Sequence, residues 1–153
     1  MAEGASGVPS EEDIQKLLQT YQRYQSEAEA IVRQVELFQA SMDGCNKALN
    51  VLESMKTAEV GQNILVPIGE GSFIHAKLAS TDKVILEVGA SVSIEKNVDD
   101  AKETLSKRKA QLEEGLKNLN ETLVKIDQEM GKVQSFISQY EQMAAARGGK
   151  VVQ

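Results

Sequence analysis

From Ile14 to Leu52 the chain repeats apolar residues in strictly alternating steps of three and four: Ile14, Leu17, Tyr21, Tyr24, Ala28, Ile31, Val35, Phe38, Met42, Cys45, Leu49 and Leu52. No polar residue interrupts that seam. Held over about five heptads, the pattern demands a long helix whose stripe is covered by a second helix. A second seam runs through Leu105, Lys109, Leu112, Leu116, Leu119, Leu123, Ile126, Met130, Val133, Ile137, Tyr140 and Ala144, and only Lys109 breaks it. Start signals precede both. Ser10 is a good N-cap with Asp13 three residues on, and Asn97 is another, with Asp99 and Asp100 in its first turn. Gly61 is placed to end the first helix in a left-handed conformation, and the second frays near Arg147-Gly148-Gly149. These signals predict helices over 10–60 and 97–147, each roughly 70 Å long, folded back antiparallel so that each seam buries the other. In that arrangement paired residue numbers sum to roughly 156.

Between the helices, residues 61–96 follow a different rhythm. Ile64-Leu65-Val66-Pro67-Ile68 reads as a strand that lies at an edge or whose Pro67 faces away from any partner strand. Gly69-Glu70-Gly71 turns the chain into Phe73–Leu78, where Ile74, Ala76 and Leu78 share a face. Ser80-Thr81-Asp82 makes the next turn. Val84, Leu86 and Val88 then form an inward stripe, and Gly89-Ala90 is read as a two-residue turn into Val92 and Ile94. The fold class is therefore α+β, a helical hairpin with two central β-hairpins. Four short strands with an apolar face cannot hide it against helices that already pair with each other. The economical solution is oligomerisation. Ile64, Val66, Ile68, Phe73, Ile74, Leu78, Val84, Leu86, Val88, Val92 and Ile94 are the expected subunit-interface residues.

Composition narrows the function. The chain has 153 residues, room for about one domain. Aromatics are 4% of it, too few for the core of an ordinary globule of this size. A formal net charge of −6 argues against nucleic-acid phosphates and anionic membranes as partners. No apolar run is long enough to span a bilayer, and the first residues lack a signal peptide's basic start and apolar segment. These features predict a cytoplasmic protein, with disordered segments at 1–9 and 148–153. Catalysis finds no support. His75, the sole histidine, sits on the strand face opposite Ile74 and Ala76, and Cys45 lies on the helical seam as a buried hydrophobe. Gly69-Glu70-Gly71-Ser72 lacks the Lys-Ser/Thr ending of a phosphate loop. No metal and no cofactor are expected. Gly44, Gly115 and Gly131 interrupt the helices, as tolerated weak points or as bending points.

The runs NILVPIGEGSFIHAKL and KVILEVGASVSIEKNVDDA, set between two heptad helices, resemble the alpha-class subunits of prefoldin (GimC), most closely the archaeal form. Two consecutive hairpins point to the alpha class, since beta-class subunits carry one. The resemblance implies a hexamer of two alpha and four beta subunits, whose hairpins form a double β-barrel platform bearing six coiled coils. It implies an ATP-independent holdase that passes unfolded polypeptides to a group II chaperonin. The glycine- and serine-rich segment before Ser10 matches nothing in the family.

Unfolded polypeptide would be held where the helices end. Ile14, Leu17, Leu18, Tyr21 and Tyr24 face Val133, Phe136, Ile137, Tyr140 and Met143 in the expected register. Leu18 and Phe136 lie outside the seams, although Phe136 could exchange roles with Ile137. Of this zone, Ile14, Leu17, Leu18, Tyr21, Val133, Phe136, Ile137, Tyr140 and Met143 are the candidate client-binding residues. A competing expectation is a structural coiled-coil protein that polymerises through its β-hairpins into a filament or homomeric scaffold.

Overall fold

A computed structural model describes residues 8–148. Most of the stretches expected to be disordered, 1–9 and 148–153, thus lie outside the described residues. The element order is α1 (Glu11–Ser54), β1 (Asn63–Gly69), β2 (Ser72–Lys77), β3 (Lys83–Gly89), β4 (Val92–Asn97) and α2 (Val98–Gly148).

Both helices begin where their caps place them. The Asp13 N–H donates to Ser10 Oγ at 3.2 Å, while the Ser10 N–H donates to the Asp13 carboxylate at 3.0 Å. This reciprocal box satisfies two otherwise orphaned groups. At α2 the Asp100 N–H donates to Asn97 Oδ1 at 2.8 Å, and Asn97 Nδ2 returns a bond to the Asp100 carboxylate at 2.9 Å.

The end of α1 differs from the expected residue 60. The helix stops at Ser54. Ser54 and Thr57 turn their hydroxyls back onto the carbonyls of Asn50 and Ser54. The backbone then tightens into successive bonds three residues apart, Lys56 to Glu53, Thr57 to Ser54 and Ala58 to Met55. Hydroxyls that compete for backbone groups and a narrowed last turn are common ways for a helix to close. Gly61 does adopt a left-handed φ of 86°, but in the loop entering β1 rather than as a helix cap. There its N–H donates to the Leu78 carbonyl at 2.7 Å.

The described chain divides into two compact units, Phe38–Gly115 and the remainder, 8–37 with 116–148. In the first, Cys45, Leu52 and Met55 of α1 meet Val98, Ala101 and Leu105 of α2 in a buried cluster, with Ala48, Leu49 and Leu112 against it. Ala101 is fully buried. Val84 and Leu86 of β3 pack on the same cluster. Both are half-buried against the protein's own helices. An ion pair of 2.6 Å between Lys102 and Glu53 joins the helices beside the cluster. In the second unit every expected seam residue is at least half-buried except Ala144, which is exposed, and Ile126 is buried.

The strands form two separate two-stranded antiparallel sheets, β1-β2 and β3-β4. Their registers are the same, displaced by 20 residues: Asn63↔Lys77 matches Lys83↔Asn97, and Val66↔Ile74 matches Leu86↔Ile94. Each has a bulge at the equivalent place, between Pro67 and Gly69 and between Glu87 and Gly89. Each closes through two residues of positive φ, Glu70-Gly71 and Ala90-Ser91, the geometry that matches strand twist in a tight hairpin. The second turn is thus one residue later than Gly89-Ala90. Gly89 instead closes the ladder opposite Val92 at a φ of 131°, a conformation that glycine tolerates best.

The helical glycines are of two kinds. A Cβ on Gly115 would lie 2.5 Å from Cε2 of Phe38, so Gly115 is a notch that admits the ring. A Cβ on Gly44 or Gly131 would meet nothing within 4 Å. Accordingly, Gly44→Ala and Gly131→Ala should each stabilise the chain by up to about 1 kcal/mol, whereas Gly115→Ala should lower the melting temperature despite its better helix propensity. Thermal unfolding followed by circular dichroism checks the opposite signs.

Candidate functional site

In antiparallel pairing, residues directly opposite one another share a face. One face of the first hairpin carries Ile64, Val66, Ile74 and Ala76; the other carries Leu65, Pro67, Phe73 and His75. Phe73 therefore does not share the face of Ile74. In the second hairpin Val84, Leu86, Ile94 and Lys96 share one face, and Ile85, Glu87, Ser93 and Glu95 the other. Ile68 and Val88 fall within the bulges, and Val92 pairs with Gly89 beside the turn.

Exposure separates these residues. Ile64, Val66, Leu78, Val84 and Leu86 are half-buried, whereas Ile68, Phe73, Ile74, Val88, Val92 and Ile94 are exposed. The most exposed apolar strand residue is Ile85, at 77% of its full area, and its repeat equivalent Leu65 stands at 60%. Neither was among the expected interface residues. The signal was present in the unbroken triplets Ile64-Leu65-Val66 and Val84-Ile85-Leu86, because a strand that is apolar without alternation presents both faces for burial.

The hairpins are fastened differently. The second is tied to α2: Arg108 donates to the Glu87 carbonyl at 2.8 Å, and Lys96 donates to the Thr104 hydroxyl at 3.1 Å. Its first turn is fixed by Ser80, whose hydroxyl donates to Asp82 at 2.7 Å and accepts from the Lys83 N–H at 3.2 Å. The first hairpin leaves a cavity of about 420 Å³ toward the end of α1, lined by residues that include Val51, Met55, Ile64, Leu65 and Leu78.

The helix ends form the second apolar surface. Ile14, Leu17, Tyr21 and Tyr24 of α1 are half-buried, as are Val133, Ile137 and Tyr140 of α2. Leu18, Phe136 and Met143 are exposed. Ile137 therefore occupies the seam and Phe136 stands outside it. All fall in the same compact unit. Val8, just before α1, borders a small cavity with Tyr140, Met143, Ala144 and Arg147. The Arg23 guanidinium lies 5.5 Å from the centre of the Tyr24 ring, a cation–π distance. Among the described residues no three His, Cys, Asp or Glu side chains gather as metal ligands, and no helix is long and apolar enough to cross a membrane.

The family described as Prefoldin subunit matches residues 24–143. The chain is 43% identical over 117 residues to prefoldin subunit alpha of Methanothrix thermoacetophila, covering 75% of this chain and 76% of that relative. It is 36% identical over 128 residues to prefoldin subunit alpha of Methanococcoides burtonii, covering 84% and 93%. Among solved structures, filamentous PFD from Methanocaldococcus jannaschii, seen by cryo-electron microscopy, is similar in fold with a TM-score of 0.66 at 20% identity, covering 76% of this chain and 97% of that one. The prefoldin beta subunit of Thermococcus strain KS-1 matches with a TM-score of 0.55 at 15% identity, covering 87% and 94%.

The cap that starts α1 should make this helix end sensitive to acid. The Asp13 carboxyl is held below its ordinary pKa, chiefly by the Ser10 N–H, then by the Ser10 hydroxyl and by attraction to Lys16. A group depressed in the folded state stabilises it above the unfolded pKa and loses that contribution as pH falls through the folded value. Below about pH 4 the first turn of α1 should therefore fray before the rest of the helix. Carboxyl-carbon NMR titration of Asp13, with hydrogen exchange at the Ser10 amide, reads the effect; an ordinary Asp13 titration would contradict it.

Proposed function

The chain belongs to the prefoldin family, within its alpha class, and on that premise we propose that it is a subunit of an ATP-independent holdase that captures unfolded polypeptides at the ends of its helices. The observation that carries this reading is the pairing of two exposed apolar surfaces in one chain. One lies on hairpins with unfinished sheet edges, and the other surrounds Leu18, Phe136 and Met143 at the helix ends. Exposed apolar side chains in contiguous groups mark places where another polypeptide binds.

In this reading the hairpins assemble two copies of the chain with four beta-class subunits, and the resulting complex hands its clients to a group II chaperonin in the cytoplasm. Individual apolar contacts with an unfolded chain are weak. Several tethered helix ends convert later contacts into intramolecular ones, so a client is held more firmly than by any single end. Ile14, Leu17, Leu18, Tyr21, Val133, Phe136, Ile137, Tyr140 and Met143 are the proposed client contacts, with the exposed members making first contact.

A second reading has one specific support. All four strands lie at sheet edges, and the chain is similar in fold to a PFD solved as a filament. Edges that close a ring can also extend an open polymer. Light scattering after size-exclusion chromatography separates the two. Discrete hexamers that form only with a beta-class subunit support the holdase reading; open polymers of this chain alone support the other.

Replacing Leu18, Tyr21, Phe136 and Ile137 together by Ser should leave the hexamer intact and weaken suppression of aggregation of a denatured client by at least about tenfold, the loss expected from a few buried apolar side chains. Unchanged suppression by the intact variant hexamer would overturn the placement of client binding.

A further inference from the structure

At the end of α2 the apolar seam outruns the helix that covers it. Met143, Ala144 and Arg147 follow Tyr140 by three, four and seven residues, so the four share one helix face. Yet α1 begins only at Glu11, and Ala144, expected in the seam, is exposed. What stands beside that face is Val8, two residues before the cap. Its place is set locally. The reciprocal bonds of Ser10 and Asp13 fix the start of α1, and Pro9, half-buried, has its φ restricted by its ring. A residue before proline is pushed toward extended backbone, so Val8 does not prolong the helix.

Val8 borders the space beside this face without filling it. With Tyr140, Met143, Ala144 and Arg147 it lines a cavity of about 240 Å³. The small Ala144 leaves room that a larger seam residue would occupy. An apolar cavity of about 150 Å³ accepts benzene, so this one has space for a phenyl or indole ring. Its walls also favour a ring over an aliphatic chain of similar size. The Met143 thioether is attracted to ring edges, and the Tyr140 ring to a second ring set offset or edge-on. The Arg147 guanidinium is attracted to a ring face. Among the described residues Arg147 enters no ion pair, so its guanidinium is not committed to a carboxylate.

We propose that this cavity is a subsite for one aromatic side chain of an unfolded polypeptide, with Val8 as the wall that α1 does not supply. This rests on the reading of the helix ends as the client-binding surface and gives that surface a side-chain preference. Val8, Ala144 and Arg147 were not among the expected client contacts, and all three lie outside the stretch 24–143 that the family matches. Leu18 and Phe136 are exposed and do not line the cavity. They offer apolar surface to side chains of any shape, whereas the cavity selects Phe, Tyr or Trp.

The experiment uses the complex of the full chain with the beta-class subunit of the same cell, the Met, Ala and Leu methyls of this chain being labelled for NMR. The probes are three soluble, flexible peptides that differ at one central residue, which is Phe, Leu or Ala. The Phe peptide should shift the Met143 and Ala144 methyl signals and half-saturate them at a concentration at least about threefold below that of the Leu peptide. Val8→Ser should raise the half-saturating concentration of the Phe peptide about threefold. Ala144→Leu, which fills the space with apolar atoms, should raise it at least about tenfold and erase the preference for Phe over Leu. Equal binding of the Phe and Leu peptides, or undiminished binding of the Phe peptide by Ala144→Leu, would overturn the subsite. Tighter binding by Val8→Ser would overturn it too, by making Val8 a strap over the surface instead of a wall. Shifts confined to the Leu18 methyls would remove the subsite and leave client binding at the helix ends standing. No response at Leu18, Met143 or Ala144 to any of the peptides would remove the client reading and the subsite with it.

Discussion

A ribbon of two strands satisfies half of its backbone groups and leaves the other half pointing outward. In water such a ribbon is marginal, and its stability has to come from packing on one face or from further strands at its edges. This chain meets that constraint twice over. The half-buried Val84 and Leu86 lean β3 on the cluster formed by Cys45, Leu52, Met55, Val98, Ala101 and Leu105. Arg108 and Lys96 then hold the same hairpin to α2. The first hairpin has less of this support, with a cavity where the second has packed side chains.

The cluster beneath the second hairpin depends on residue size as much as on hydrophobicity. Ala101 is wholly covered and Cys45 nearly so, so the helices meet here through small side chains. Farther along, Gly115 serves the same purpose for the ring of Phe38. Long helices in this protein are thus fitted to one another at particular points rather than by a uniform layer of leucines. That is consistent with close packing as the source of a single register. The Lys102–Glu53 ion pair, exposed on its acidic side, adds little energy beside this fit, but it marks the same register.

The helical seams were legible because strict steps of three and four leave few alternatives, and all the seam positions but Ala144 are at least partly covered. The caps at Ser10 and Asn97 were equally plain, since their chemistry is local. The early stop at Ser54 was not, because hydroxyls that bond back onto helix carbonyls, as those of Ser54 and Thr57 do, also occur at Thr20, Thr104 and Thr122 where the helix continues. The role of Gly115 was hidden too: sequence records that a glycine is present, not that a ring lies against it. In the β-block the strands and turns could be read from glycines and alternation. The displaced repeat of 20 residues and the two-sided exposure of Leu65 and Ile85 were also written there. They required comparing one hairpin with the other rather than scoring each strand alone. Arg108, 21 residues beyond Glu87 in the chain, could not have been assigned to a strand edge from spacing.

Cys45 is the only cysteine, and it is 5% exposed within the cluster that supports the second hairpin. A sulfhydryl in that position reacts with an alkylating reagent only when its surroundings open. The chain therefore carries its own clock for the opening of that junction, read as the rate at which one thiol becomes available, with no added label and no second cysteine to confuse the signal.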